Sequence, residues 1–314
     1  MKRLIIGLQD LKIFNSNLSN LTDLDLYETN LDMEGIDKLI QLKHLTRLNI
    51  QYSSADSCEP ILAMFANTNW KKLKSLNLLA LIVKEKKVPL IKDVEIVPCG
   101  FKPELEKLVL AESQISGNLL KHLLNCEILS NLQILDLSYL CFVYSNSSIH
   151  NLDGVLAIAN SKCLKNLRIL KLYQSYMDSD CIKLIAERGC QTLPNLQSLD
   201  LRMGQLGDES FEKIMEYEFM QNLELLFVML SAENNNSYFL TTVSAKAILK
   251  NSKKMKKSLY EAYEYYVHVG GIIDIERDYQ NYQVEEGPKL LGAIVNHGSD
   301  WDYGVDELEL LSES

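Results

Sequence analysis

A six-residue phrase, L-x-x-L-x-L, returns eight times in this chain of 314 residues and leaves little freedom in what it can fold into. It starts at Leu21 (LTDLDL), Leu45 (LTRLNI), Leu73 (LKSLNL), Leu105 (LEKLVL), Leu132 (LQILDL), Leu167 (LRILKL), Leu196 (LQSLDL) and Leu223 (LELLFV). Successive starts lie 24, 28, 32, 27, 35, 29 and 27 residues apart. The alternation describes a short strand whose leucines point one way and whose x residues point the other. Apolar residues at helical spacing follow in most units: Leu31, Ile36, Leu39 and Ile40; Leu119, Leu120, Leu123 and Leu124; Phe211, Ile214 and Met215. Each strand–helix unit has one apolar face that it cannot bury alone, so neighbouring units must stack. The expected fold is an α/β solenoid with a parallel sheet on its concave side and helices on its convex side.

Phrase and period together resemble the leucine-rich repeat family over residues 21–230. The long units and the pattern Leu31-x-x-x-Gly35-x-x-x-Leu39 resemble its ribonuclease-inhibitor-like subclass. The resemblance implies a leucine-rich repeat horseshoe. The family favours Asn or Cys three residues after the phrase, where this chain has Thr29, Ser53, Leu81, Ser113, Leu140, Ser175, Gly204 and Ser231. A hydroxyl can take over part of the hydrogen bonding in that turn, whereas Leu81 and Leu140 cannot. Those two leucines lie in the longest units. The Leu73 unit contains Pro89, Pro98 and Pro103 and reads as extended over Val88–Val97; the Leu132 unit carries a polar insertion, Ser145–Asn151.

Three regions are expected. Residues 1–20 contain a further phrase at Leu8 (LQDLKI) and read as a partial repeat and N-terminal cap. Residues 21–230 form the repeat domain. Residues 231–314 read as a capping helix, Val243–Val267, followed by an acidic tail. The lysines at 246–257 are expected to face solvent or to pair with that tail.

The formal charge of −10 fits a phosphate backbone poorly, so no nucleic-acid partner is expected. The N-terminal apolar stretch is too short for a signal sequence, and no window offers the roughly 18 apolar residues of a membrane helix. Seven cysteines, an odd number without a C-x-x-C pair, read as buried thiols in a reducing compartment. A cytoplasmic, monomeric protein is expected. The five histidines (44, 122, 150, 268 and 297) show no metal spacing, and no P-loop, G-x-G-x-x-G or G-x-S-x-G is present. Gly270-Gly271 reads as a turn. No cofactor and no catalytic residue are expected.

Binding is therefore assigned to the concave face. The third, fifth, seventh and eighth residues of each phrase are expected to point into it. They include Asp23, Tyr27 and Glu28; Arg47 and Tyr52; Lys107 and Glu112; Asp136 and Tyr139; Lys171 and Tyr173; Asp200 and Arg202. Tyr and Arg dominate the energetics of protein interfaces, and here they are interleaved with charges of both signs. The leading expectation is a non-catalytic scaffold for a protein partner. The repeats with an acidic tail also resemble GTPase-activating proteins of the Ran type, which implies stimulated GTP hydrolysis as an alternative; the substrate-receptor arm of a ubiquitin ligase is another. The last phrase carries Phe227, Met229 and Leu230, and the C-terminal segment is expected to cover it.

Overall fold

The structure is a computed structural model that describes residues 2–7, 18–84, 100–142, 149–175, 177–202 and 206–228. Its centre is a nine-stranded parallel sheet: β1 (Arg3–Gly7), β2 (Asp23–Tyr27), β3 (Arg47–Gln51), β5 (Ser75–Asn77), β7 (Lys107–Val109), β9 (Ile134–Asp136), β11 (Ile169–Lys171), β12 (Ser198–Asp200) and β13 (Leu225–Phe227). The strands lie side by side in chain order. Their register repeats the phrase: Leu24 faces Leu48, Leu48 faces Leu76, Leu108 faces Leu135, and Leu170 faces Leu199. With helices packed behind the sheet, this is an α/β leucine-rich repeat solenoid.

The leucines at positions 1, 4 and 6 of the phrase merge into one continuous core running along the array. Full burial of one such side chain stabilises by ~1.5–3 kcal/mol. Position 11 completes each unit's inner wall, with Leu31, Ala55, Val83, Ile115, Met177 and Leu206 all buried. In three units the residue at position 12 caps a helix that begins directly after it. Asp32 caps α1 (Met33–Leu39), Ser116 caps α3 (Gly117–Leu123) and Asp178 caps α5 (Ser179–Thr192), each accepting a backbone N–H three residues on at 2.7–3.1 Å. The remaining helices are α2 (Glu59–Ala66), α4 (Ile149–Ala159), α6 (Asp208–Ile214) and α7 (Glu218–Gln221).

Several features depart from the expectations. The strand before the Leu21 unit is RLIIG, with Leu4 opposite Leu24 and Ile6 opposite Leu26. The additional phrase therefore starts at Met1 (MKRLII), and LQDLKI lies outside the described residues. The insertion expected over Ser145–Asn151 is shorter, because α4 already starts at Ile149. A second, four-stranded parallel sheet was not anticipated. It pairs β4 (Ser54–Ala55), β6 (Ile82–Val83), β8 (Gln114–Ile115) and β10 (Cys141–Phe142), all at positions 10 and 11. Val88–Val97 and the whole of 231–314, with its expected helix and lysine run, lie outside the described residues.

Between the two sheets the chain turns through a left-handed residue at position 8. Glu28, Tyr52, Ala80, Glu112, Tyr139 and Gln174 all have φ between 50° and 57°. None is glycine, and each costs about 1–2 kcal/mol of backbone strain. Position 9 holds the turn together through the next unit. The Ser53 hydroxyl accepts the N–H of Thr29 at 3.1 Å, and the Ser113 hydroxyl accepts the N–H of Leu81 at 3.1 Å while donating to Leu78 O at 3.0 Å. The Ser175 hydroxyl donates to Leu137 O at 2.7 Å. The two leucines in this slot are thus served by serines of the following units, while their own side chains enter the core at 0% and 2% exposure.

Candidate functional site

Positions 3 and 5 share the face opposite the core, as their contacts establish. Arg47, at position 3, reaches Asp23 (position 3) at 3.2 Å and Asp25 (position 5) at 3.1 Å on the adjacent strand. Arg3 approaches Asp25 from the other side at 3.1 Å. Asp25 is 1% exposed, and two guanidinium groups offset the cost of burying its charge. The hydroxyl of Thr22, 2.7 Å away, together with Arg47, holds the Asp23 carboxyl below its ordinary pKa. This N-terminal end of the concave face is polar and partly open. Asp23, Tyr27 and Arg47 are half-buried, while Glu28, Tyr52, Lys107 and Glu112 are exposed.

A second cluster forms at the far end. Tyr139 and Tyr173 meet edge to face, with ring centroids 4.9 Å apart. The Arg202 guanidinium lies 5.3 Å from the Tyr173 ring centre. Asp200 fixes that guanidinium with contacts of 2.7 and 3.0 Å and also accepts the Arg202 backbone N–H at 3.1 Å. Stacking and cation–π contact each add on the order of 0.5–1 kcal/mol here. Tyr139, Tyr173 and Arg202 are half-buried, as are Asp136 and Lys171, which lie in register with Asp200 across β9, β11 and β12. Asp200 itself is 2% exposed and acts on the surface through Arg202. Asp136 likewise accepts a backbone N–H, that of Ser138, at 2.9 Å.

Of the expected residues, the structure joins Asp23 with Arg47 on the N-terminal strands and Tyr139, Tyr173, Asp200 and Arg202 on the later ones, while Lys107 and Glu112 belong to the unit of the middle strand, β7. Sequence reasoning missed what lies between and below them. Position 3 changes character halfway along the array, from Asp23, Arg47, Ser75 and Lys107 to Ile134, Ile169, Ser198 and Leu225. The signal was present in the phrases LQILDL, LRILKL and LELLFV, whose third residue is apolar.

Among the described residues no group of His, Cys, Asp and Glu is arranged to hold a metal ion, and no helix is long and apolar enough to cross a membrane. Cys58, Cys126, Cys163 and Cys181 are buried, whereas Cys190 is exposed. Burial, with Asp178 beside it, pushes the Cys181 thiol up to about 12, and burial near Glu218 raises Cys190 as well. Neither is poised as a thiolate. Cys99 lies outside the described residues. A cleft of about 510 Å³ between the ends of α4 and α5 is lined by Lys162, Lys165 and Arg188 and contains none of the expected residues.

No protein-family profile matches the chain, and no curated protein sequence matches it either. Among solved structures it is similar to a protein from Bacteroides fragilis, with 15% identity, 83% of this chain covered and a TM-score of 0.46. The matched region spans 66% of that protein's length. It is also similar to an internalin from Listeria monocytogenes, with 17% identity over 83% of this chain and 87% of that one, at a TM-score of 0.27. Both likenesses are distant, and the solenoid assignment stands on the strand order and register of this chain.

Proposed function

We propose that this protein is a non-catalytic scaffold of the ribonuclease-inhibitor-like kind, working in the cytoplasm and holding a protein partner on its concave face. The observation that carries this reading is the cluster of Tyr139, Tyr173 and Arg202. Two rings and a guanidinium are held in a fixed arrangement before any partner arrives, which lowers the ordering cost of binding. Aromatic and arginine side chains in such settings supply most of an interface's binding energy. The charged group around Asp23, Arg47 and Lys107 would set register and association rate. Unit lengths near 29 residues and convex helices support the subclass, and buried thiols support a reducing compartment.

The test is an affinity pull-down from native lysate that compares the full chain with Tyr139→Ala/Tyr173→Ala and with Arg202→Ala. A partner retained by the full chain and lost with either variant supports the reading. Equal recovery by all three refutes it. Two fold controls accompany the experiment. Tyr173→Ala forfeits only the ring and guanidinium contacts and should lower the melting temperature by ~2–8 °C, whereas Leu170→Asp places a charge at a position with 0% exposure and should abolish folding.

A further inference from the structure

Arg3, Arg47 and Arg202 each have an aspartate to balance their charge. Arg188, exposed on α5, is held differently. Its guanidinium donates to the side-chain carbonyl of Asn160, and Asn160 is fixed in turn by donating to Leu156 O in the last turn of α4 at 2.8 Å. A neutral amide orients the guanidinium without cancelling its charge. Lys162 and Lys165, both exposed between α4 and β11, line the same cleft as Arg188. Among the described residues neither lysine forms an ion pair, and no carboxylate lines the cleft. Glu187, beside Arg188 in sequence, accepts from the Tyr217 hydroxyl at 2.9 Å and pairs with Lys183 at 3.8 Å. The cleft lies at the C-terminal ends of α4 and α5, where cations also serve the helix dipoles. Each helix end amounts to about −0.5 charge, so the three cations exceed the two ends by about +2. The end carbonyls already have donors: Leu156 O accepts the Asn160 N–H, Arg188 O the Thr192 hydroxyl and Gly189 O the Leu193 N–H. In a chain of net charge −10, this local surplus is left for a ligand.

We propose that this cleft binds a phosphate monoester borne on a protein side chain. Such a group brings a charge of about −1.5 to −2, which matches the surplus, and three acceptor oxygens. Arg188 keeps the N–H groups that Asn160 does not use, and a guanidinium fork fits phosphate in a bidentate manner. Lys162 and Lys165 add point charges, and the exposed Gln191 amide adds a neutral donor. A carboxylate brings one charge and two oxygens, and would leave about half of the surplus unmatched. At about 510 Å³ the cleft has several times the volume of a phosphate group, which favours a phosphorylated residue with its flanking backbone over a free ion. The site lies in the helix layer rather than on the concave face, so its failure would leave the partner-binding reading intact.

The experiment is fluorescence anisotropy of the full chain with a labelled peptide, Ala-Ala-phosphoserine-Ala-Ala, in phosphate-free buffer. The phosphopeptide should bind at least ~10-fold more tightly than its glutamate and serine counterparts. Arg188→Ala, and separately Lys162→Ala/Lys165→Ala, should each weaken binding by ~10-fold or more. Arg188→Lys keeps the charge but loses the fork, and should recover only part of that loss. Lys43→Ala, two residues before the Leu45 phrase as Lys165 is before the Leu167 phrase, should change nothing. All four side chains are exposed, so the substitutions leave the core intact. Equal binding of the phosphoserine and glutamate peptides would overturn the proposal in favour of an acidic segment. So would inorganic phosphate competing as well as unlabelled phosphopeptide, which reduces the site to one for a free ion. Absence of saturable phosphopeptide binding, or a loss with Lys43→Ala as large as with Arg188→Ala, would overturn it equally.

Discussion

Replacing Gly189 by alanine ought to stabilise the protein if helix propensity were the only consideration, and the structure says that it will not. Gly189 lies inside α5, where Gly→Ala normally gains ~1 kcal/mol. Here the Phe219 ring of α7 lies flat against the glycine. A Cβ at 189 would overlap ring atoms Cγ and Cδ2 and come within 2.5 Å of Cε2. Phe219 is 4% exposed, so the ring can make room only by shifting the short helix that carries it or by leaving the core. Overpacking of this kind costs ~1–3 kcal/mol, and expulsion of the ring would forfeit ~1.5–3 kcal/mol of burial. Set against the propensity gain, Gly189→Ala should destabilise by up to ~2 kcal/mol. In a domain of this size that lowers the melting temperature by up to ~8 °C. The decisive assay is a double-mutant cycle with Phe219→Ala, followed by circular dichroism in urea. Phe219→Ala alone should cost ~3–5 kcal/mol. In that background Gly189→Ala should change sign and stabilise by up to ~1 kcal/mol, giving a coupling of ~2 kcal/mol or more. If Gly189→Ala raises stability in the native background, the α5–α7 contact is not as described.

Other outcomes follow from the same geometry. Ser113→Ala removes the second partner of the Leu81 N–H and of the Leu78 carbonyl, which keep only their 3.1 Å bond to each other, and should cost ~0.5–1.5 kcal/mol in urea unfolding. Glu112→Gly should stabilise by up to about 1 kcal/mol, because relief of the left-handed strain at φ 57° exceeds glycine's entropy cost, and the backbone N–H still bonds to Ser138 O at 2.8 Å. His122 has its pKa lowered from 6.5 by burial and then by Lys121, and its Nε2 is buried without a partner. The unfolded chain therefore takes up the proton more readily. Stability should fall as pH drops through 6.5 and level off below the folded-state pKa, a loss that His122→Asn should remove from the pH dependence of the urea midpoint.

The strands were legible because leucine at positions 1 and 4 with Leu, Ile or Val at position 6 is a packing requirement that no other fold reproduces eight times. The ninth strand escaped because its stretch, MKRLII, reads Met and Ile where the phrase reads Leu, while LQDLKI nearby offered a better literal match. The second sheet has two-residue strands, too short to show any period; only the recurrent apolar residue at position 11 marks it. Asparagines before the phrase were a further unused signal. Asn166 and Asn195 donate to Ser130 O and Lys165 O of the preceding units at 2.8 Å. At the candidate site, Tyr139, Tyr173 and Arg202 could be named from register alone. Their mutual contact could not, since it depends on the left-handed bend at Tyr139 that brings position 8 of one unit against position 7 of the next. Asp200 was legible as an outward residue but not as the buried clamp on Arg202.

The serine linkage at position 9 makes the array directional. Each of these hydroxyls completes the turn of the unit before it, so the units with Thr29, Leu81 and Leu140 at position 9 are finished only when their successors are in place. The units are consequently not interchangeable tiles. Excising 105–131 would set the Leu81 turn directly against Leu140, which has no hydroxyl to offer, and the Leu81 N–H and Leu78 carbonyl would lose both Ser113 bonds and keep only the one to each other. Lengthening or shortening such a chain by recombination works only where a Leu unit and the Ser unit after it move together. The smallest heritable increment of this horseshoe is therefore a pair of repeats.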